Sequence, residues 1–147
     1  MFEGQFFIEW RRERHVVSPY EIPENWKKVR SIDPSGKKGI TSCHWYAVDY
    51  DKIIYLYREW YGCRNDDEQE VGLRKPAFEV ARELWDHEKE KVKMRIADPS
   101  IWHPRPKARF NEARGQTIVE DFSNEGVYFL KADNNRLQGL QAVHRRL

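Results

Sequence analysis

Two stretches of the chain, VRSIDPSG at 29–36 and MRIADPSI at 94–101, share one pattern: a short run suited to a β-strand, then Asp-Pro-Ser. Each run delivers a carboxylate, Asp33 or Asp98, to the C-terminal end of its strand. Proline fixes its own φ and lacks an N–H, so each ladder stops at Pro34 or Pro99. In open α/β sheets, sites form beyond the carboxyl ends of strands. As parallel neighbours the two strands would lie about 4.8 Å apart, and the two carboxylates would converge. Paired carboxylates repel unless a cation joins them, and hard divalent ions such as Mg²⁺ take oxygen ligands while keeping some of their water. Two such ions about 3.5–4 Å apart activate a water and stabilise the leaving 3′-oxygen of a phosphodiester. Asp-Pro-Ser is also ordinary turn chemistry, and on the residues alone that alternative stays open.

The elements that must position these carboxylates can be read from periodicity. Phe6, Ile8 and Trp10 alternate with polar residues before Pro19 and Pro23, so residues 1–25 are expected to form an N-terminal arm, extended or a short strand. Residues 26–33 read as a strand. Residues 40–49 and 52–61 are rich in β-branched and aromatic residues and read as a hairpin around Tyr50-Asp51. Residues 62–75 are polar and read as a loop.

Pro76 opens a helix with Ala77, Val80, Ala81 and Leu84 on one stripe, flanked by Phe78 and Trp85; Glu79, Glu83 and the run Asp86–Lys91 are expected in water. Residues 92–97 read as a strand with Val92, Met94 and Ile96 on one face. Lys93 and Arg95 make the other face polar, which predicts a face open to solvent or covered by something outside this chain. Pro99, Pro104 and Pro106 mark a loop over 99–115. A short helix at 116–124, a strand at 126–131 and a helix from about Asn134 with a Leu137/Leu140/Val143 stripe complete the chain. Three antiparallel strands followed by crossover units predict a mixed α/β sheet flanked by helices.

Composition excludes more than it selects. With 147 residues, 39% hydrophobic and 14% aromatic, the chain is long enough and apolar enough for a globular domain. No segment approaches the roughly 18 apolar residues of a membrane span, and the N-terminus lacks the charge order of a signal peptide. A cytosolic protein without membrane contact is expected. The net charge of +2 says nothing about a polyanionic partner. Cys43 and Cys63 have no CxxC partner and read as thiols rather than a zinc site or disulfide.

The segments GQFFIEW, HVVSPYEIP, W-x₃-RSIDPSG, YREWY, ADPSIW and GVYFLKADNNRLQGLQAV resemble, in order and spacing, the nuclease domain of tailed-phage terminase large subunits. The resemblance runs from about Gly4 to Leu147. It implies an RNase H-like nuclease domain over 26–147, with Asp33 as the first-strand metal ligand and Asp98 as the second. It implies a Mg²⁺- or Mn²⁺-dependent endonuclease that cuts concatemeric double-stranded DNA during packaging in the host cytoplasm. The partners it implies are DNA, the small terminase subunit, the portal and a motor ATPase domain. No G-x-x-x-x-G-K-[ST] motif of such a motor occurs here. The family's third acidic ligand would fall beyond Leu147, so a fragment, whether prophage remnant or truncated gene, is expected. The competing expectations are an inactive relic that only binds DNA or packaging partners, and another RNase H-like nuclease such as a resolvase or transposase core.

Further candidates follow from that placement. Lys37 and Lys38 follow the first Asp, and His103, Arg105, Lys107, Arg109 and Arg114 follow the second. They stand where a DNA backbone would approach the metals, so phosphate contacts are expected, beside the alternative of a solvated basic loop. Glu59, also readable as a third ligand, and Asp133 are lesser candidates to support the ligands without touching the ion. Glu59 is otherwise a surface carboxylate, and Asp133 otherwise a helix N-terminal signal. Asp49 and Asp51 read as turn residues, as do Ser35 and Ser100, and Trp102 as an anchor of its loop, with stacking on a base as the alternative. His15, His44, His87 and His144 show no catalytic pairing.

Overall fold

Alternation of apolar and polar residues places most strands of the sheet. The computed structural model describes residues 6–34, 40–66, 69–105 and 116–147. In chain order these form α1 (Arg12–His15), β1 (Lys27–Asp33), β2 (Thr41–Val48), β3 (Ile54–Asp66), β4 (Gln69–Gly72), α2 (Ala77–His87) and β5 (Met94–Ala97). A 3₁₀ turn (Pro99–Trp102), α3 (Ile118–Asn124), β6 (Leu130–Lys131) and α4 (Arg136–His144) follow. Among the described residues the strands make one six-stranded sheet in the order β4-β3-β2-β1-β5-β6. β1 to β4 are an antiparallel meander, while β5 adds parallel to β1 and β6 parallel to β5. This is the expected mixed sheet.

The β2–β3 hairpin closes through Asp49. Its carboxylate accepts the Ile53 N–H at 2.8 Å and the Tyr55 hydroxyl at 3.2 Å, which is the turn role expected of it. A bulge then changes the register. Val48 to Tyr46 face Ile54 to Leu56, but Trp45 faces Arg58, so Tyr57 is the extra residue. From there His44 faces Glu59 and Cys43 faces Trp60. Beyond the hairpin, Gly62 is a close approach of backbone to side chains: a Cβ there would meet Leu73 at 3.0 Å and Thr41 at 3.1 Å.

The pleat divides the sheet into two faces. Ile32, Cys43, Trp45 and Ala97 are buried against Val80, Ala81 and Leu84 of α2, Ile101 of the 3₁₀ turn, Phe122 of α3 and Val127. The stripe expected on α2 is thus the one it buries. α3 is held by a capping box, in which Thr117 accepts the Glu120 N–H and Glu120 accepts the Thr117 N–H. Burial pushes the Cys43 thiol up to about 12, so it stays protonated.

An ionic network crosses this helix-covered face. Glu88, just past α2, is buried; it accepts from Arg30 at 2.7 Å, from Arg95 and from the Trp45 indole at 3.4 Å. Arg30 is fully buried, with its guanidinium over Phe129 at 5.5 Å and Trp45 at 6.0 Å. Desolvation lowers its pKa, and the Glu88 charge opposes that shift. Arg95 also stacks on Trp85 at 5.0 Å. Two expectations are corrected here. Glu88 is not in water, because two arginines need its charge. The Arg95 face is not open, because α2 covers it and Glu88 neutralises it. Lys93 precedes β5 and is exposed, while Met94 and Ile96 lie half-buried on the other face.

Other expectations are also revised. The 62–75 stretch is mostly ladder: β3 runs on to Asp66 and β4 pairs back on it, since an edge hairpin needs backbone partners rather than apolar side chains. The 126–131 strand shrinks to Leu130–Lys131. Residues 6–10 form no strand and find no ladder to join; α1 follows them. The chain divides into two compact units: Ile22–Asp133, and the described residues up to Glu21 together with Asn134–Leu147. In the second, Phe7 packs on the His144 ring at 5.0 Å and Glu9 pairs with His144 at 3.2 Å. The α4 stripe is not buried: Leu137 is 66% exposed.

Candidate active site at the carboxyl ends of two parallel strands

The registers place the two aspartates side by side. Ile32 pairs with Ala97 in the parallel β1–β5 ladder, and the Asp98 N–H donates to the Ile32 carbonyl at 3.2 Å. Asp33 and Asp98 are the next opposing residues, on strands about 4.8 Å apart. Both alternate away from the buried Ile32 and Ala97, so both belong to the face opposite α2 and α3. Asp33 is exposed and Asp98 half-buried.

Carrying the registers across the sheet assembles this face row by row. The rim row holds Tyr61, Ser42, Asp33 and Asp98, and the next row holds Glu59, His44, Ser31, Ile96 and Leu130. A third row of Leu56, Tyr46, Val29 and Met94 is mainly apolar. Polar chemistry is concentrated in the two rows nearest the strand ends.

Asp98 is held by the turn that follows it. Asp98 Oδ1 accepts the Ser100 N–H at 2.8 Å and caps the 3₁₀ turn. Ile101 drives that turn into the core and Trp102 packs beside it as an anchor. The turn uses one oxygen of Asp98, and that bond orients the carboxylate. Pro34, directly after Asp33, is buried and fixes the exit of β1.

The remaining candidates fall into three groups. His103 is exposed just past the turn, at the same end of the sheet. Arg105 is committed to its own fold: it donates to the Gln116 carbonyl at 2.9 Å and to Asp121 at 2.7 Å, tying the loop base to α3. Lys37, Lys38, Lys107, Arg109 and Arg114 lie outside the described residues. Glu59 sits two strands from Asp33, paired with His44 Nε2 at 3.2 Å. Asp133 lies near the rim, two residues past β6, where the Ala132 N–H reaches the Ala97 carbonyl at 2.9 Å. Asp133 is not the helix cap; Asn135 is, accepting the Gln138 N–H at 3.1 Å.

Two oxygen-donor side chains at one rim suit a hard divalent cation that keeps water and substrate oxygens as its other ligands. Among the described residues no group of three or more His, Cys, Asp or Glu side chains gathers to hold a metal ion. The His44–Glu59 pair is the feature that sequence reading missed. Counting back from the hairpin turn sets His44 opposite Arg58, and only the bulge brings Glu59 onto its face.

Among solved structures, the chain is similar to the P22 large terminase nuclease domain. The TM-score is 0.63 at 15% identity, covering 97% of this chain and 68% of that one. At that identity the likeness establishes the fold: an RNase H-like mixed sheet flanked by helices. No family model and no curated protein matches the chain. Among the described residues no helix is long and apolar enough to cross a membrane.

Proposed function

We propose that the chain is the nuclease domain of a phage terminase large subunit, hydrolysing phosphodiester bonds of double-stranded DNA at Asp33 and Asp98. The observation that carries this reading is the juxtaposition of the two aspartates at the carboxyl ends of neighbouring parallel strands. The fold shared with a terminase nuclease domain supports it.

Asp33 and Asp98 would hold Mg²⁺ or Mn²⁺, which when bound supplies Lewis acidity to the phosphate and lowers the pKa of bound water. The chain's own contribution is placement. The 3₁₀ turn aims Asp98, the β1 exit aims Asp33, and the polar rows beside them offer a hydrogen-bonding floor to a DNA strand. His103, exposed just past the turn, would contact a backbone phosphate. In this reading the small terminase subunit, the portal and a motor ATPase domain are the partners, and the host cytoplasm is the location.

Incubation with supercoiled plasmid and Mn²⁺ tests the reading. Cutting should fall by at least about 100-fold in Asp33→Ala, beyond the 10- to 100-fold typical of residues that only support a ligand. Equal cutting by the parent chain and Asp33→Ala would rule the assignment out.

A further inference from the structure

The second polar row holds a pair that the two-aspartate reading does not use. His44 Nε2 and Glu59 Oε1 are 3.2 Å apart, on side chains 27% and 55% exposed. An ionised carboxylate only accepts hydrogen bonds, so the shared proton belongs to the imidazole. With Nε2–H directed at Glu59, the neutral ring carries its lone pair on Nδ1. A carboxylate that fixes the tautomer of a histidine in this way leaves the other nitrogen ready to take a proton.

The registers put that ring beside Asp33. Ser31 is opposite His44 and Ser42 opposite Asp33, so His44 and Asp33 are diagonal neighbours on one face. Such diagonals are roughly 7–8 Å apart, which leaves room for a water or a phosphate oxygen between the side chains. The groups facing His44 are Ser31 and Glu59 across the ladders, Asp33 and Tyr61 on the diagonals, and Tyr46 on its own strand, with ring centroids 6.1 Å apart. The bulge at Tyr57 is what makes the pair: an unbroken register would set Arg58 against His44 and turn Glu59 to the helix-covered face.

We propose that His44 is a proton acceptor in phosphodiester hydrolysis at Asp33 and Asp98, with Glu59 as the positioning residue that sets its tautomer; this rests on the nuclease reading. The attacking water forms a bond from its oxygen to phosphorus and gives its proton to His44 Nδ1. The P–O3′ bond breaks, its electron pair stays on O3′, and that oxygen takes a proton from solvent. The products are a 5′-phosphate and a 3′-hydroxyl, with no change of oxidation state.

Nitrogen NMR of the metal-free chain reads the tautomer without any turnover. The Nε2–H form should make up nearly all of the neutral His44 ring, and its share should fall towards the mixture of a free histidine side chain in Glu59→Ala. Plasmid cutting with Mn²⁺ reads the chemistry: His44→Ala should lower kcat by about 100-fold with KM unchanged. His44→Gln, which keeps a hydrogen-bonding side chain but cannot take the proton, should not restore it. Glu59→Ala should cost about tenfold. A dominant Nδ1–H form in the parent chain, or full activity in His44→Gln, overturns the proposal. If Asp33→Ala is dead while His44→Gln cuts normally, this inference fails alone. If Asp33→Ala cuts normally, the nuclease reading fails beneath it.

Discussion

The two faces of one sheet solve the problem of charge in opposite ways. On the helix-covered face, Arg30 and Glu88 are buried and paired with each other, and the half-buried Arg95 pairs with the same Glu88, with Trp45, Trp85 and Phe129 packed around them. On the other face, Asp33, Asp98, Glu59 and His44 gather in the two rows nearest the strand ends, exposed or half-buried. The first arrangement turns inward: Arg30 and Glu88 are buried, and removing either strands the other. The second presents oxygen and nitrogen atoms where a solute can reach them. A titratable group is thus informative about function through where its face leads, not through its charge alone.

The sharpest way to break the comparison is on the covered face. Glu88→Ala leaves two arginines facing each other beneath α2, and loss of one partner from a buried ion pair costs about 3–5 kcal/mol. Chemical denaturation should show a destabilisation of that size, whereas Asp33→Ala should stay within about 0.5 kcal/mol of the parent, as expected for an exposed side chain. Comparable losses in both variants would erase the distinction between the faces. A smaller effect is expected at the start of α3. Thr117→Ala removes one arm of the capping box and should cost about 1 kcal/mol by the same assay. An unchanged midpoint there would mean that packing of Phe122 alone holds the helix.

Much of the fold was legible in the sequence. The strands β1, β2 and β3, the α2 stripe and the parallel placement of β5 follow from alternation, from proline stops and from crossover rules. The juxtaposition of Asp33 and Asp98 followed from two matching strand ends. What stayed hidden depends on register and on long-range charge. Glu88 looks like part of a solvated run until the fold brings Arg30, 58 residues earlier, against it. The β4 ladder has side chains that look like a loop, because an edge hairpin is paid for by its backbone. His44 and Glu59 meet only because Tyr57 bulges, and no periodicity in the chain announces a single extra residue.

Titration with Mn²⁺, followed by the resonance signal of the free ion, tests the pairing of Asp33 with Asp98 most directly. The parent chain should bind the ion saturably, and Asp33→Asn and Asp98→Asn should each weaken binding at least about tenfold. Asp51→Asn, a hairpin-turn residue, should leave it unchanged. Equal retention of Mn²⁺ by the parent chain and both rim variants would show that these carboxylates do not share a cation.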